Sequence, residues 1–212
     1  TALPWLIIDH SGLWRSMTYH LDRGLHSESS YGTALLLAQV FGWTRVEGSL
    51  TFGSWNLTSP LADTIGALSP YFTLVLLVAV YSFYTWWAIK VVRLEGGNGV
   101  WNEDGAIRLL LQFAPLVLLV FLLVNKVFSA QYLIWVCPLL PLVEGWSKKP
   151  ILALFIVAAS LTQFVFPYNY IDFELVRPLP VAMLAVRNLL LLVAVSVLVC
   201  SILKWRGTPV FR

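Results

Sequence analysis

Long apolar runs alternate with short polar breaks along the chain. Five runs read as membrane crossings, each of which takes roughly 17–25 residues of helix. The first is expected over Tyr71–Val91, with Ser69 as N-cap and Pro70 at the first helical position. Just before it, Ser59-Pro60 repeats the same start signal for a short segment carrying Asp63, which is expected at the interface. The second run is Ile107–Val124, with Pro115 as a kink point. Tyr132–Val143 is short and holds Pro138 and Pro141, so it reads as a broken helix supported by its neighbours. The fourth and fifth runs, Ile151–Phe166 and Val181–Leu203, open after Pro150 and Pro180.

Two further segments are apolar but too short to cross by themselves. Tyr31–Phe41 has 11 residues, about 16 Å of helix against a core of about 30 Å. It reads as a re-entrant or interfacial helix, capped by Ser29 or Ser30 and ended by Gly42. The alternative is a sixth span that borrows the polar residues after it. Between Gly12 and Arg23, Leu13, Trp14, Met17 and Leu21 share one helical stripe, with Arg15, Tyr19 and Asp22 opposite. Ser11 can cap this helix and Gly24 end it. Such an amphipathic helix suits a membrane surface, either packed on the bundle or flanking a lipid entrance.

Composition agrees with this pattern. Of 212 residues, 58% are apolar and 12% charged, and the mean hydropathy is +0.77. That excludes a disordered chain, a basic nucleic-acid binder and an ordinary cytosolic domain. The fold class expected is all-α, a multi-pass transmembrane bundle of about five spans. The net charge of +3 says little; its placement says more. Lys90, Arg93, Arg108, Lys148, Lys149, Lys204, Arg206 and Arg212 fall at one set of span ends. Lys126, Arg177 and Arg187 fall at the other, with Arg15, Arg23 and Arg45 in an N-terminal part too long to weigh like a short loop. The bias predicts a cytoplasmic C-terminus, with residues 1–59 as an extracytoplasmic loop and 60–212 as the bundle and its tail. The chain opens at Thr1 with no signal-peptide pattern, and is expected to be a piece of a longer protein. Cys137 and Cys200 lie in apolar runs and read as buried hydrophobic residues.

The polar chemistry concentrates on the predicted outer face. Arg23 lies in the loop before the short helix, and Glu28 and Ser29 directly precede it. An arginine fork suits phosphate, and a helix N-terminus offers free N–H groups to an anion. A structural Arg23–Glu28 ion pair is the plainer reading. His10, His20 and Asp22 lack a trustworthy metal-ligand spacing, and no metal or cofactor is expected. A second cluster, Asn125 to Tyr132, carries Lys126, Ser129 and Gln131. Interface chemistry alone would explain it, with Lys126 snorkelling and Tyr132 as a belt aromatic. No GxSxG, HExxH, Walker or GxGxxG motif is present.

Two of these stretches carry a resemblance. Tyr19-His-Leu-Asp-Arg-Gly-Leu-His-Ser-Glu-Ser29 resembles an RGLQxES stretch of bacterial glycosyltransferase family 87, with His26 where Gln is usual. Lys126-Val-Phe-Ser-Ala-Gln-Tyr-Leu-Ile-Trp-Val-Cys-Pro-Leu-Leu-Pro141 is similar to that family's KxFSPQYLLWLLPLL stretch, with Ala130 in place of Pro. Gly53-Ser-Trp-Asn56 is a weaker likeness. The resemblance implies the C-terminal half of a C-type integral membrane glycosyltransferase, expected in a bacterial plasma membrane. Its donor would be a polyprenyl-phosphate sugar, often mannose, and its acceptor an extracytoplasmic glycan or glycolipid. The transfer would invert the anomeric centre. The family's general base belongs to a first outer loop that this sequence does not contain. Arg23, Glu28, Ser129, Gln131 and Tyr132 are therefore carried over as donor-site candidates only, and Lys126 joins them on chemistry as a phosphate contact. No catalytic residue is assigned, and the chain alone is expected to be silent. The competing classes are a transporter or flippase for a lipid-linked substrate and a non-catalytic membrane scaffold subunit.

Overall fold

The computed structural model describes residues 9–95 and 103–204. Outside the description lie the side chains of His10, Leu13, Ser16, Met17, His20 and Leu21, and those of residues 91–95 and 103–104. The chain is a helical bundle with a small sheet at one end, which bears out the all-α class. Among the described residues, four helices are long and apolar enough to cross a membrane. They run over Pro60–Lys90, Gly105–Val124, Lys148–Tyr168 and Pro178–Lys204. The third expected crossing, Tyr132–Val143, is not one of these helices.

The end that carries the sheet is built from α1 (His10–Asp22), β1 (Leu25–His26), α2 (Ser30–Val40), β2 (Glu47–Thr51) and β3 (Ser54–Thr58). Asp9, not Ser11, caps α1, its side chain accepting from Gly12 N at 2.8 Å. The expected apolar stripe of α1 rests on Leu13, Met17 and Leu21, outside the described side chains; Trp14 is exposed. Ser29 caps α2 by accepting from Gly32 N at 3.0 Å, and Gly42 follows its end with φ +75°. The half-length helix expected from the sequence is therefore present.

The sheet was not expected. β2 and β3 form a hairpin, and β1 pairs with β3 through Leu25↔Leu57 and His26↔Asn56. Phe52 (φ 52°) and Gly53 (φ 69°) are both left-handed, which closes a two-residue turn matched to the twist of the strands. Asn56 is buried and its Nδ2 donates to Thr51 O at 2.8 Å. The Gly53–Asn56 likeness is thus a hairpin turn.

The first span begins eleven residues before the expected start. α3 runs unbroken from Pro60 to Glu95, through Pro70. Ser59, not Ser69, is the N-cap, accepting from Ala62 N at 3.0 Å. Pro70 lacks the N–H that would bond Gly66 O. Ser69 Oγ donates to that same carbonyl at 3.1 Å, so the helix continues instead of starting there. Thirty-six residues span about 54 Å, well beyond a core of about 30 Å. The first turns of α3 therefore stand beside the sheet, where Gly66 lies against Leu25.

α4 (Glu103–Val124) returns to the sheet end. The segment after it is the broken helix expected from Pro138 and Pro141: a tight turn at Ala130–Tyr132, α5 (Leu133–Val136) and a second tight turn at Leu140–Leu142. It links the two ends of the bundle. Ala130 N bonds Glu28 near the sheet, and Glu144 pairs with Arg108 at the far end, 3.0 Å apart. α6 (Lys148–Gln163) returns, continues through a wider turn at Phe164–Tyr168, and leads to α7 (Tyr170–Glu174). α8 (Pro178–Lys204) closes the bundle, starting at Pro178 instead of near Val181. Asp172 pairs with Arg177 between these last two, 3.3 Å apart.

The main core runs through α4, α5, α6 and α8, with Leu116, Leu119, Leu122, Phe128, Leu191 and Leu198 buried. A second cluster under the sheet joins Leu25, Leu36, Leu57, Phe173, Val181 and Leu184. Large apolar side chains such as Phe72, Leu74, Val78, Ile156 and Leu192 face outward from the spans. That is the pattern of helices whose solvent is hydrocarbon. Cys137 and Cys200 are free and on this outward surface, not buried, because apolar side chains of a lipid-facing helix need no protein cover.

Candidate functional site

Arg23–Ser29 and Lys126–Tyr132 meet at the sheet end of the bundle. They touch directly. His26 N donates to Lys126 O at 3.0 Å, and Ala130 N donates to Glu28 Oε2 at 3.1 Å. His26 Nδ1 lies 3.1 Å from Phe128 O. Since a carbonyl can only accept, Nδ1 carries the ring proton. On its other side the loop is fixed by Ser27 N donating to Trp55 O at 3.0 Å and by Ser29 Oγ donating to His26 O at 2.7 Å. Gly32 sits under this loop. A Cβ there would collide with His26 O and stand 2.8 Å from Ser27 O, both backbone atoms. Gly32→Ala should cost about 1–3 kcal/mol, read as a lower thermal midpoint in detergent. A midpoint equal to that of the unsubstituted chain would show that the loop has room to move.

Glu28 does not pair with Arg23. Its partner is Arg187 of α8, which is fully buried. The carboxylate Oε2 is 3.9 Å from Arg187 Nη1, an ion pair without a hydrogen bond. Arg187 Nη2 donates to Glu28 O at 2.6 Å and to Asn188 Oδ1 at 2.8 Å. The guanidinium carbon lies 4.3 Å over the Phe128 ring. Asn188 Nδ2 donates onward to Thr33 Oγ1 of α2 at 3.0 Å. One arginine therefore joins α8, α2, the Glu28 loop and the connector after α4. Burial pushes the Glu28 carboxyl up, opposed by the Arg187 charge and the Ala130 N–H.

Beside this joint lies a cavity of about 650 Å³. Its lining includes Arg23 and Lys126, the hydrogen-bonding groups of Ser69, Thr73, Asn125 and Tyr132, and apolar walls from Pro70, Phe121, Val127 and Trp135. Arg23 Nε is buried without a partner. Lys126 is buried too, and that burial lowers its pKa; nearby Asp22 works against the shift and Arg23 adds to it. In the wall Tyr132 and Trp135 stack at 4.6 Å, and Thr73 Oγ1 donates to Val124 O at 2.8 Å.

Of the six donor-site candidates, Arg23, Lys126 and Tyr132 line the cavity. Glu28, Ser129 and Gln131 do not: Glu28 is turned into the Arg187 joint, and Ser129 and Gln131 belong to the tight turn beside it. The first turn of α2 is also absent from the lining, so its N–H groups do not serve this cavity. Lys126 is buried rather than snorkelling. Of the suspected His10, His20 and Asp22 set, the two histidine side chains lie outside the description. Arg187 was missed, although an arginine inside an apolar run is itself a signal.

Burial also holds His26 at a pKa of about 4, against its ordinary 6.5, with the Arg23 and Arg187 charges adding to the shift. Above pH 6.5 the ring is neutral folded or unfolded. Between 6.5 and 4 only the unfolded chain takes the proton, so stability is lost as pH falls through that window. The loss is on the order of 3 kcal/mol. Thermal midpoints from pH 7.5 to 4 should fall more steeply for the unsubstituted chain than for His26→Asn. Parallel curves would refute a neutral buried ring.

The fold and the cavity define a multi-pass membrane helical protein with a cationic, partly apolar cavity at one end of its bundle. No protein-family model, no curated protein and no solved structure matches the chain.

Proposed function

We propose that the chain is part of an integral membrane glycosyltransferase that holds a polyprenyl-phosphate sugar, with mannose the expected sugar, beside Arg23 and Lys126. The observation that carries this reading is the cavity's two-sided chemistry. Two cations and several hydroxyl or amide groups share it with apolar walls drawn from α3, α4 and the connector after α4. A phosphate head on a long hydrocarbon tail satisfies both halves, whereas a water-soluble anion would leave the apolar walls idle. The family resemblance supplies the reaction class.

In that reaction an acceptor hydroxyl oxygen forms the new bond to the anomeric carbon. The bond from that carbon to the phosphate oxygen breaks, and its electron pair leaves with the polyprenyl phosphate. Arg23 and Lys126 would stabilise the charge gathering on the leaving phosphate. The hydroxyl proton needs a carboxylate within about 2.6–3.2 Å. Among the described residues no carboxylate lines the cavity. The 212-residue chain is therefore expected to bind the donor without transferring its sugar.

The reading is tested in nanodiscs with dodecyl phosphate, dodecanol and dodecyltrimethylammonium as probes. Saturable binding of the phosphate alone supports it. Equal binding of dodecanol would reduce the cavity to a greasy cleft and remove the reading's basis.

We read the sidedness from charge. Lys90, Arg108, Lys148, Lys149 and Lys204 gather at the end away from the sheet, which supports the reading that this end and the C-terminus are cytoplasmic. With both native cysteines replaced by serine, an impermeant thiol reagent on intact cells should label Tyr168→Cys and spare Lys149→Cys. The reverse pattern would invert the protein and place the cavity on the cytoplasmic side.

A further inference from the structure

We infer that Arg187 is the positioning residue of the cavity: through the Glu28 carbonyl and the Phe128 ring it fixes the two segments that carry Arg23 and Lys126. The inference rests on reading the cavity as a phosphate site. Arg187 itself does not line the cavity. Its contacts are with the segments on which the cavity's cations stand. Glu28, bonded through its backbone oxygen at 2.6 Å, is five residues after Arg23. Phe128, under the guanidinium at 4.3 Å, is two residues after Lys126. The same two segments are joined by His26 N to Lys126 O and by Ala130 N to Glu28 Oε2.

A charge-balancing role alone would not need this geometry. The closest contact of Arg187 is to a neutral carbonyl, and the carboxylate stands off at 3.9 Å. Asn188 takes Nε and Nη2 together, at 3.1 and 2.8 Å, which fixes the plane of the fork over the ring. The anchor is α8, a helix of 27 residues whose buried face includes Arg187, Asn188 and Leu191. The cavity's cations are thus referenced to a long helix rather than to their own loops. A site whose binding groups stand on loops needs such support to keep its spacing.

The decisive comparison is Glu28→Gln/Arg187→Met against Glu28→Gln, in the full chain in nanodiscs, because the pair differs in the guanidinium without leaving a buried carboxylate alone. Two quantities are read: affinity for dodecyl phosphate, and the rate at which an amine reagent modifies Lys126, followed by peptide mass spectrometry. Loss of the fork should weaken binding about tenfold and speed Lys126 modification about tenfold. An unchanged Lys126 rate overturns the inference whatever the affinity does. Absence of dodecyl phosphate binding by the unsubstituted chain defeats the phosphate reading, while the Lys126 rates still decide the positioning role. Should the double variant fail to fold, Arg187→Lys keeps the charge without the fork. Its Lys126 rate should rise at least threefold, and a rate equal to that of the unsubstituted chain overturns the inference.

Discussion

Arg187→Met should lower the stability of the chain in detergent by about 3–5 kcal/mol near pH 7.5, the range for removing one partner of a buried pair. The reason is the residue it leaves behind. Glu28 is 4% exposed, and its remaining contact is the Ala130 N–H. The carboxyl can escape only by taking a proton. Burial already raises its pKa in the unsubstituted fold, and losing the Arg187 charge raises it further. A raised folded pKa means that the folded state holds the proton more tightly. This contribution to stability is complete below the ordinary value of 4.5 and is lost as pH rises through the folded value. The deficit of Arg187→Met should therefore be widest at pH 7.5 and shrink towards pH 5. His26 works in the opposite direction over the same range, so the deficit is taken between variants at each pH. Thermal midpoints for the single variant and for Glu28→Gln/Arg187→Met decide the matter. The double variant should recover most of the loss at pH 7.5. Equal losses in both would mean that the cost comes from the missing Phe128 and carbonyl contacts and not from a stranded carboxylate.

Replacing Arg23 and Lys126 together by alanine should weaken dodecyl phosphate binding by about 100-fold or more. A hydrogen bond to a charged group contributes about 1.5–3 kcal/mol, or about 10–100-fold each. The two effects should add imperfectly, because both cations face one anion. Arg23 offers the cleaner single test, since its Nε has no protein partner to lose and its replacement should move the thermal midpoint little. Lys126 is buried, and its alanine variant needs the midpoint measured alongside the affinity. Dodecanol affinity should stay level throughout. Phosphate affinity that survives the double substitution would show that the anion, if it binds, sits elsewhere.

The spans were legible because hydropathy is a local property: any run of apolar residues long enough to cross must be helical to satisfy its own backbone. Hence Ile107–Val124 lies within α4, and the prolines at 138 and 141 break the helix after it. The short helix α2 was readable for the same reason, with its cap at Ser29 and its stop at Gly42. The meeting of the two polar stretches was also foreseeable. Both lie at the same ends of predicted spans, and the bundle leaves such loops little room to avoid each other.

Other features depended on what neighbours supply. Pro70 signals a helix start in sequence, yet the helix runs through it because Ser69 Oγ takes the carbonyl that proline leaves open. The hairpin was hidden because ten residues of mixed polarity carry little periodicity, although the Phe52-Gly53 pair between alternating strands was the available sign. Glu28 read as a ligand group from its place before a helix. Its role was decided by a residue 159 positions away. The sequence by itself determined a membrane bundle with its polar chemistry at one end, since that follows from where apolar runs start and stop. Only the tertiary structure decided which polar groups face the cavity and which face each other. A carboxylate, an arginine and an asparagine in a dry interior must satisfy one another, and sequence spacing does not say who will be within reach.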